Sequence, residues 1–114
     1  MTSDSVFDYA AALAKADAEI VAIIGEDFLG LVPDDMARMR TAAVAGDFES
    51  LARLAHTYKG LAGNFGARPL VAAAAVLQAA CKDDSFEPGL LSTLEGELNA
   101  LCDALRENLR RGEA

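Results

Sequence analysis

One histidine, His56, lies close to two cationic side chains at helical spacing, and the chain contains no other imidazole. Arg53 precedes it by three residues and Lys59 follows it by three, and residues at this spacing are neighbours on a helix surface. An imidazole is available in its neutral, nucleophilic form near neutral pH. The group therefore suits attack by a ring nitrogen on phosphorus, with the cations attracting the phosphoryl oxygens.

The histidine lies outside the apolar stripe of its predicted helix. At 100° per residue, that stripe consists of Phe48, Leu51, Ala55, Tyr58, Ala62 and Phe65. His56 points about 130° away from the centre of the stripe by the same geometry. We expect an exposed imidazole that shares its side of the helix with Glu49, Ala52, Arg53, Lys59, Gly60 and Gly63.

Two glycines, Gly60 and Gly63, interrupt this helical pattern. Each costs on the order of 1 kcal/mol relative to alanine within a helix, so each calls for a reason. One explanation is access, because a glycine one turn from His56 removes a side chain that would obstruct an approaching group. The other explanation is close packing of a neighbouring helix.

The chain shows no means of its own to split a nucleotide. It has no glycine-rich phosphate loop, Walker pattern or kinase signature, so a phosphoryl group has to arrive already activated. The chain is therefore not interpreted as an enzyme, and no cofactor is expected. Because Cys81 and Cys102 lack a C-x-x-C spacing, no metal site is expected, and buried thiols are the better interpretation.

The run Ala55-His56-x-x-Lys59-Gly60, followed by Gly63-Asn64-Phe65-Gly66-Ala67 and Leu70, closely resembles the histidine phosphotransfer (HPt) domains of bacterial two-component phosphorelays. The chain departs from the usual pattern at Tyr58, Leu61 and Pro69. The resemblance implies that His56 is the phosphoacceptor, that Lys59 stabilises the phosphoryl group and that Gly60 leaves room for the partner. Ala52, Arg53 and Gly63 complete the expected partner-binding surface.

The resemblance also implies the partners. HPt domains accept a phosphoryl group from the aspartate of a receiver domain, free or within a hybrid histidine kinase, and pass it to another receiver aspartate; the magnesium ion in that picture belongs to the receiver. A helical adaptor that binds a signalling partner without being phosphorylated is the alternative. A third possibility is the phosphotransfer module of a chemotaxis-type kinase, which normally continues into further domains.

Composition restricts the remaining classes. The 114 residues predict one domain, 1–114, and the net charge of −8 argues against nucleic acid or an anionic membrane as a partner. The chain has no long uncharged apolar run and no basic, apolar leader at its start. We therefore expect a cytoplasmic monomer.

The periodicity predicts an all-α fold, an antiparallel four-helix bundle with a short extra N-terminal helix over Asp4 to Lys15. A long segment from Ala18 to Ala45 follows, in which Pro33 either kinks one helix or opens a second. Further helices are expected from Phe48 to about Asn64, from Arg68 to about Lys82, and from Ser85-Phe86-Glu87-Pro88 onward, where Ser85 could cap the helix and Pro88 fits its first turn. The predicted inward positions of the long segment are Ile20, Ile23, Ile24, Phe28, Leu31, Val32, Met36, Met39 and Ala43.

Overall fold

The computed structural model describes residues 18–110, and this part of the chain is helical with no strand. Its four helices are α1 (Ala18–Ala45), α2 (Phe48–Gly63), α3 (Arg68–Lys82) and α4 (Pro88–Arg110). The all-α prediction is confirmed for these residues. The predicted helix over Asp4 to Lys15 lies outside the described residues.

The ends of α2 follow from residues that the sequence marks. Gly46 adopts a φ of 72° in the turn after α1, a conformation that costs glycine little. Asp47 then caps α2, because its side chain accepts hydrogen bonds from the backbone N–H of Ser50 at 3.2 Å and from the Ser50 hydroxyl at 2.8 Å. Both hydrogen bonds lower the pKa of the Asp47 carboxyl. Gly66, with a φ of 63°, occupies the turn into α3.

Pro33 does not open a second helix, since α1 continues through it from Ala18 to Ala45. Proline has no N–H, so the carbonyl of Leu29 loses its usual intrahelical partner. Pro33 is exposed, which places the interruption on the solvent side of the helix.

The core lies between all four helices, with α1 and α3 each contacting both α2 and α4. The predicted stripe of α2 faces it, because Leu51, Ala55, Tyr58 and Ala62 are at most 1% exposed along with Phe65. The other helices supply Phe28, Met39, Leu70, Leu77, Leu94, Leu98 and Leu101.

The predicted inward stripe of α1 is wrong at three positions. Ile20, Ile23 and Leu31 are 45%, 53% and 50% exposed. The buried residues of α1, among them Val21, Phe28, Val32 and Met39, point within about 40° of one another on the helical wheel. Ile20, Ile23 and Leu31 all lie to the same side of these buried residues on the helical wheel. The buried stripe of α1 is therefore narrower than the number of apolar residues in this helix suggests.

A polar contact joins α1 to the middle of α2. Tyr58 is 0% exposed, and its hydroxyl donates a hydrogen bond to Oδ2 of Asp35 at 2.6 Å. Burial and this hydrogen bond raise the pKa of Tyr58 well above its usual value, so the phenol remains a donor. Phe28 packs edge-on against the same ring, with centroids 5.7 Å apart. A buried hydroxyl in an apolar stripe is thus satisfied by a carboxylate from the neighbouring helix.

None of the helices within residues 18–110 has the length and apolar character needed to cross a membrane.

We expect Tyr58→Phe to lower the free energy of unfolding by about 1.5 to 3 kcal/mol, the usual range for a hydrogen bond to a charged group. Chemical denaturation of the wild type, Tyr58→Phe, Asp35→Ala and the double variant gives the coupling energy between the two side chains. A coupling energy near zero would contradict a stabilising role for this hydrogen bond.

Candidate functional site

His56 lies on the exposed side of α2, away from the core, as its position on the helical wheel predicts. The buried residues of α2 fix its rotation, since Leu51, Ala55 and Tyr58 face the other helices. The cap at Asp47 fixes where the helix begins. The exposure of the imidazole therefore follows from how α2 packs.

One ring nitrogen of His56 contacts a neighbouring helix. The side-chain amide of Gln78 in α3 lies 3.3 Å from Nδ1, measured from the amide nitrogen. No hydrogen bond to Nε2 occurs among residues 18–110. The site thus holds the ring by Nδ1 and leaves Nε2 available to an incoming group.

The Gln78 amide can bind either neutral form of the ring. Its N–H₂ group donates to an unprotonated Nδ1, whereas its carbonyl oxygen, after a half-turn of the amide, accepts a hydrogen bond from a protonated Nδ1. In the second arrangement the lone pair is on Nε2, as nucleophilic attack by Nε2 requires. Gln78 can therefore orient the ring in either tautomer, including the one that leaves the lone pair on Nε2.

Sequence reasoning missed Gln78. It is the one polar residue in the otherwise apolar run from Leu70 to Cys81, and this was the available signal. Helical periodicity places a residue on a face of its own helix, but it does not say which residue of the next helix lies opposite.

A cleft of about 610 Å³ opens beside the imidazole, between α2 and α3. Besides His56, α2 lines it with Phe48, Glu49, Ala52 and Arg53, and α3 lines it with Gln78, Cys81 and Lys82. The cleft contains two cations, Arg53 and Lys82, and one carboxylate, Glu49. It is therefore a local cationic site on an acidic protein.

The cations near His56 are weakly engaged. Arg53 lies 3.9 Å from the Glu49 carboxylate, and both side chains are mostly exposed, at 68% and 88%. Such a pair contributes little stability in water. Lys59, which is half-buried, and Lys82 form no ion pair with any residue between 18 and 110. All three cations can turn toward an added negative charge.

The remaining predicted site residues differ in exposure. Gly60 is exposed and Gly63 is half-buried, and a Cβ atom added to either would meet no atom within 4 Å. Close helix packing therefore does not explain these glycines. Ala52 is 9% exposed and lines the cleft, so it offers a partner less surface than the sequence suggests, because it packs beside α3.

Of the two cysteines, Cys81 lines the cleft beside His56 and Cys102 belongs to the core. Cys102 is buried and Cys81 is half-buried, both as free thiols, and burial raises the pKa of each. Within the described range, no three His, Cys, Asp or Glu side chains are grouped closely enough to hold a metal ion.

Comparison with known protein families gives one finding. The model of the Hpt domain family matches residues 24–110, which include α2, α3, α4 and most of α1. No curated protein and no solved structure gives a significant match.

We expect Gln78→Leu to change the tautomer balance of His56 while leaving the fold intact, because the partner of Nδ1 is lost. The ¹⁵N chemical shifts of the two ring nitrogens report this balance directly. In the Gln78→Glu control, the carboxylate can only accept a hydrogen bond and should hold the proton on Nδ1. Identical ¹⁵N shifts in the wild type and Gln78→Leu would contradict the proposed contact.

Proposed function

Because this chain belongs to the Hpt domain family, we propose that it is a phosphorelay intermediate in which His56 accepts a phosphoryl group from a receiver-domain aspartate and passes it to another receiver. Hpt domains are histidine phosphotransfer carriers without kinase machinery. The observation that carries the assignment is an exposed imidazole whose Nδ1 contacts Gln78 at 3.3 Å, which leaves Nε2 as the nucleophile.

The transfer proceeds by displacement at phosphorus. The lone pair of Nε2 forms the new N–P bond, and the P–O bond of the acyl phosphate breaks with its electron pair, which leaves a carboxylate on the donor aspartate. The observed contact places the amide nitrogen of Gln78 at Nδ1, so the amide first makes a half-turn. The proton then stays on Nδ1, and the Gln78 carbonyl accepts a hydrogen bond from it. As positive charge develops on the ring, this hydrogen bond strengthens. Transfer to the second receiver reverses these bond changes with a new aspartate as acceptor.

Lys59 has an electrostatic role in this proposal. It lies one turn from His56 on the same helix, and side chains three residues apart are within reach of one another. Since its amine is engaged by no carboxylate among residues 18–110, it can approach the phosphoryl oxygens without breaking an ion pair. A fixed positive charge there stabilises the negative charge of the transferring group.

The partner is a receiver domain, either free or within a hybrid histidine kinase. Gly60 and Gly63 keep the surface beside His56 low, since neither position carries a side chain and both adjoin open space. Arg53 is mostly exposed at the same surface. This low cationic surface suits an acidic receiver pocket, because opposite charges orient the encounter.

The proposal extends to the arrangement of the domain. Two pairs in contact, His56–Gln78 and Phe48–Phe86, are both centred on Ala67 in the turn between α2 and α3. Gln78 belongs to α3, and Phe86 lies in the segment that follows it. This register supports an antiparallel bundle, and the hydrogen bond between Tyr58 and Asp35 supports the same relation of α1 to α2. We further propose that residues 1–114 form one domain and that this domain acts as a monomer in the bacterial cytoplasm.

His56→Gln should keep the fold and lose all acid-labile phosphate, because the replaced side chain is exposed and is the chain's only imidazole. The measurement is acid-labile ³²P on the protein after incubation with a phosphorylated receiver domain, together with thermal unfolding. A wild type that binds the phosphorylated receiver but acquires no acid-labile phosphate would instead favour the adaptor function. Phosphate retained by His56→Gln would place the acceptor elsewhere.

Gly60→Gln should stabilise the domain by up to about 1 kcal/mol through helix propensity and slow phosphotransfer by obstructing the receiver. Gly96→Gln is the matched control, because Gly96 is also an exposed helical glycine whose Cβ would meet nothing within 4 Å, and it lies on α4. We expect similar stabilisation in both variants and slower transfer in Gly60→Gln alone. Equal transfer rates in the two variants would refute the access role of Gly60.

A further inference from the structure

The cleft between α2 and α3 offers more than the residues of the His56 motif. Its lining combines the imidazole with a cation from each helix, Arg53 from α2 and Lys82 from the last turn of α3. Lys82 is exposed, and its position in the sequence, beyond the motif, gave no reason to associate it with His56. The fold alone brings it to the same cleft.

Helix geometry directs His56 toward this cleft. In an α-helix each Cα–Cβ bond tilts toward the N-terminus, so a side chain covers the turn that precedes it. The imidazole therefore leans over Ala52 and Arg53 and away from Gly60. The lining agrees, because the residues of α2 that share the cleft with His56 all precede it in sequence.

The charges of the cleft suit a phosphoryl group on His56. Glu49 is the carboxylate that opposes the two cations there, and it holds Arg53 through a loose contact of 3.9 Å between exposed groups. A phosphoryl group has three acceptor oxygens and carries more negative charge than a single carboxylate. It therefore competes well with Glu49 for the guanidinium of Arg53. Lys82 forms no ion pair with a carboxylate of residues 18–110, so it can bind a phosphoryl group without first breaking one.

We propose that this cleft is the phosphoryl pocket, in which Arg53 and Lys82 bind the phosphoryl oxygens of phosphorylated His56 and Glu49 competes for Arg53. This inference rests on the proposed function, because it assumes that His56 is the phosphoacceptor. Lys59 stabilises the group from the following turn, so the three cations surround it from two helices. Arg53 and Lys82 thus raise the rate of phosphorylation and stabilise the product.

The test uses phosphoramidate as the donor, so that docking of a receiver plays no part. Its N–P bond breaks, ammonia leaves, and the phosphoryl group is transferred to Nε2. The full chain is compared as wild type, Arg53→Gln, Lys82→Gln, the double variant and Glu49→Gln. Arg106→Gln is the control, because Arg106 is an exposed cation on α4 that pairs with Asp103.

We expect the double variant to be phosphorylated about tenfold more slowly than the control, a modest loss for two exposed cations that stabilise developing charge. Glu49→Gln should change the rate in the opposite direction, which loss of folding would not do. The difference in phosphorylation rate between the control and the double variant should shrink when the salt concentration is raised from about 0.01 M to about 1 M. Over that range the Debye length falls from about 30 Å to about 3 Å. Lys82→Arg should restore the rate lost in Lys82→Gln.

A second readout observes the product directly. The ³¹P resonance of phosphorylated His56 reports the last ionisation of the phosphoryl group, which nearby cations shift to lower pH. Removing both cations should therefore raise the midpoint pH of this ionisation by about 0.5 pH unit. The Arg106→Gln control should leave the midpoint unchanged. A double variant that matches the control in rate and in ³¹P midpoint would overturn the inference, while phosphate on His56 would still support the carrier function. No phosphate on wild-type His56 from either phosphoramidate or a phosphorylated receiver would overturn both.

Discussion

The turn between α2 and α3 sets the register in which Gln78 meets His56. Gly66 adopts a positive φ there, and the backbone N–H of Ala67 donates to the carbonyl of Ala62 at 3.1 Å. Ala62 and Ala67 are both fully buried, so the turn is held by the core. Shifting α3 by one residue would rotate its side chains by about 100° and remove the amide from Nδ1. The chemistry of an exposed ring thus depends on a buried turn.

The same dependence explains which features the sequence predicted. The bounds of α2 and α3 could be read from local signals, since Asp47 caps one helix and Gly46 and Gly66 provide the turns around it. The rotation of α2 followed from its clear apolar stripe, which also placed His56 in solvent. Gln78 and Lys82 could not be placed, because they reach the site through packing between helices and not through spacing within one.

The errors in α1 have a related cause. Apolar residues occur on more than one side of this helix, so periodicity overestimated how much of it the core covers, as Ile20, Ile23 and Leu31 show. Tyr58 illustrates the opposite case, because its position in the stripe was predicted while its partner Asp35 was not. A buried hydroxyl needs an acceptor, but the sequence offers many carboxylates and does not indicate which one lies opposite.

The two glycines of α2, Gly60 and Gly63, are not explained by the stability of the fold. Gly60 costs the helix on the order of 1 kcal/mol relative to alanine, Gly63 is its last residue, and the open space around both positions shows that packing does not require them. A core formed by four helices can tolerate that cost, because the buried stripe of α2 stabilises the helix from its other face. The fold would be served as well by alanine, which agrees with the proposal that these glycines admit a partner to the surface beside His56. Gly60 and Gly63 follow His56 in α2, whereas Arg53 and Lys82 line the cleft between α2 and α3, on the side of the residues that precede His56. One side of the imidazole is therefore suited to binding a charged group, and the other is suited to admitting the surface that delivers it.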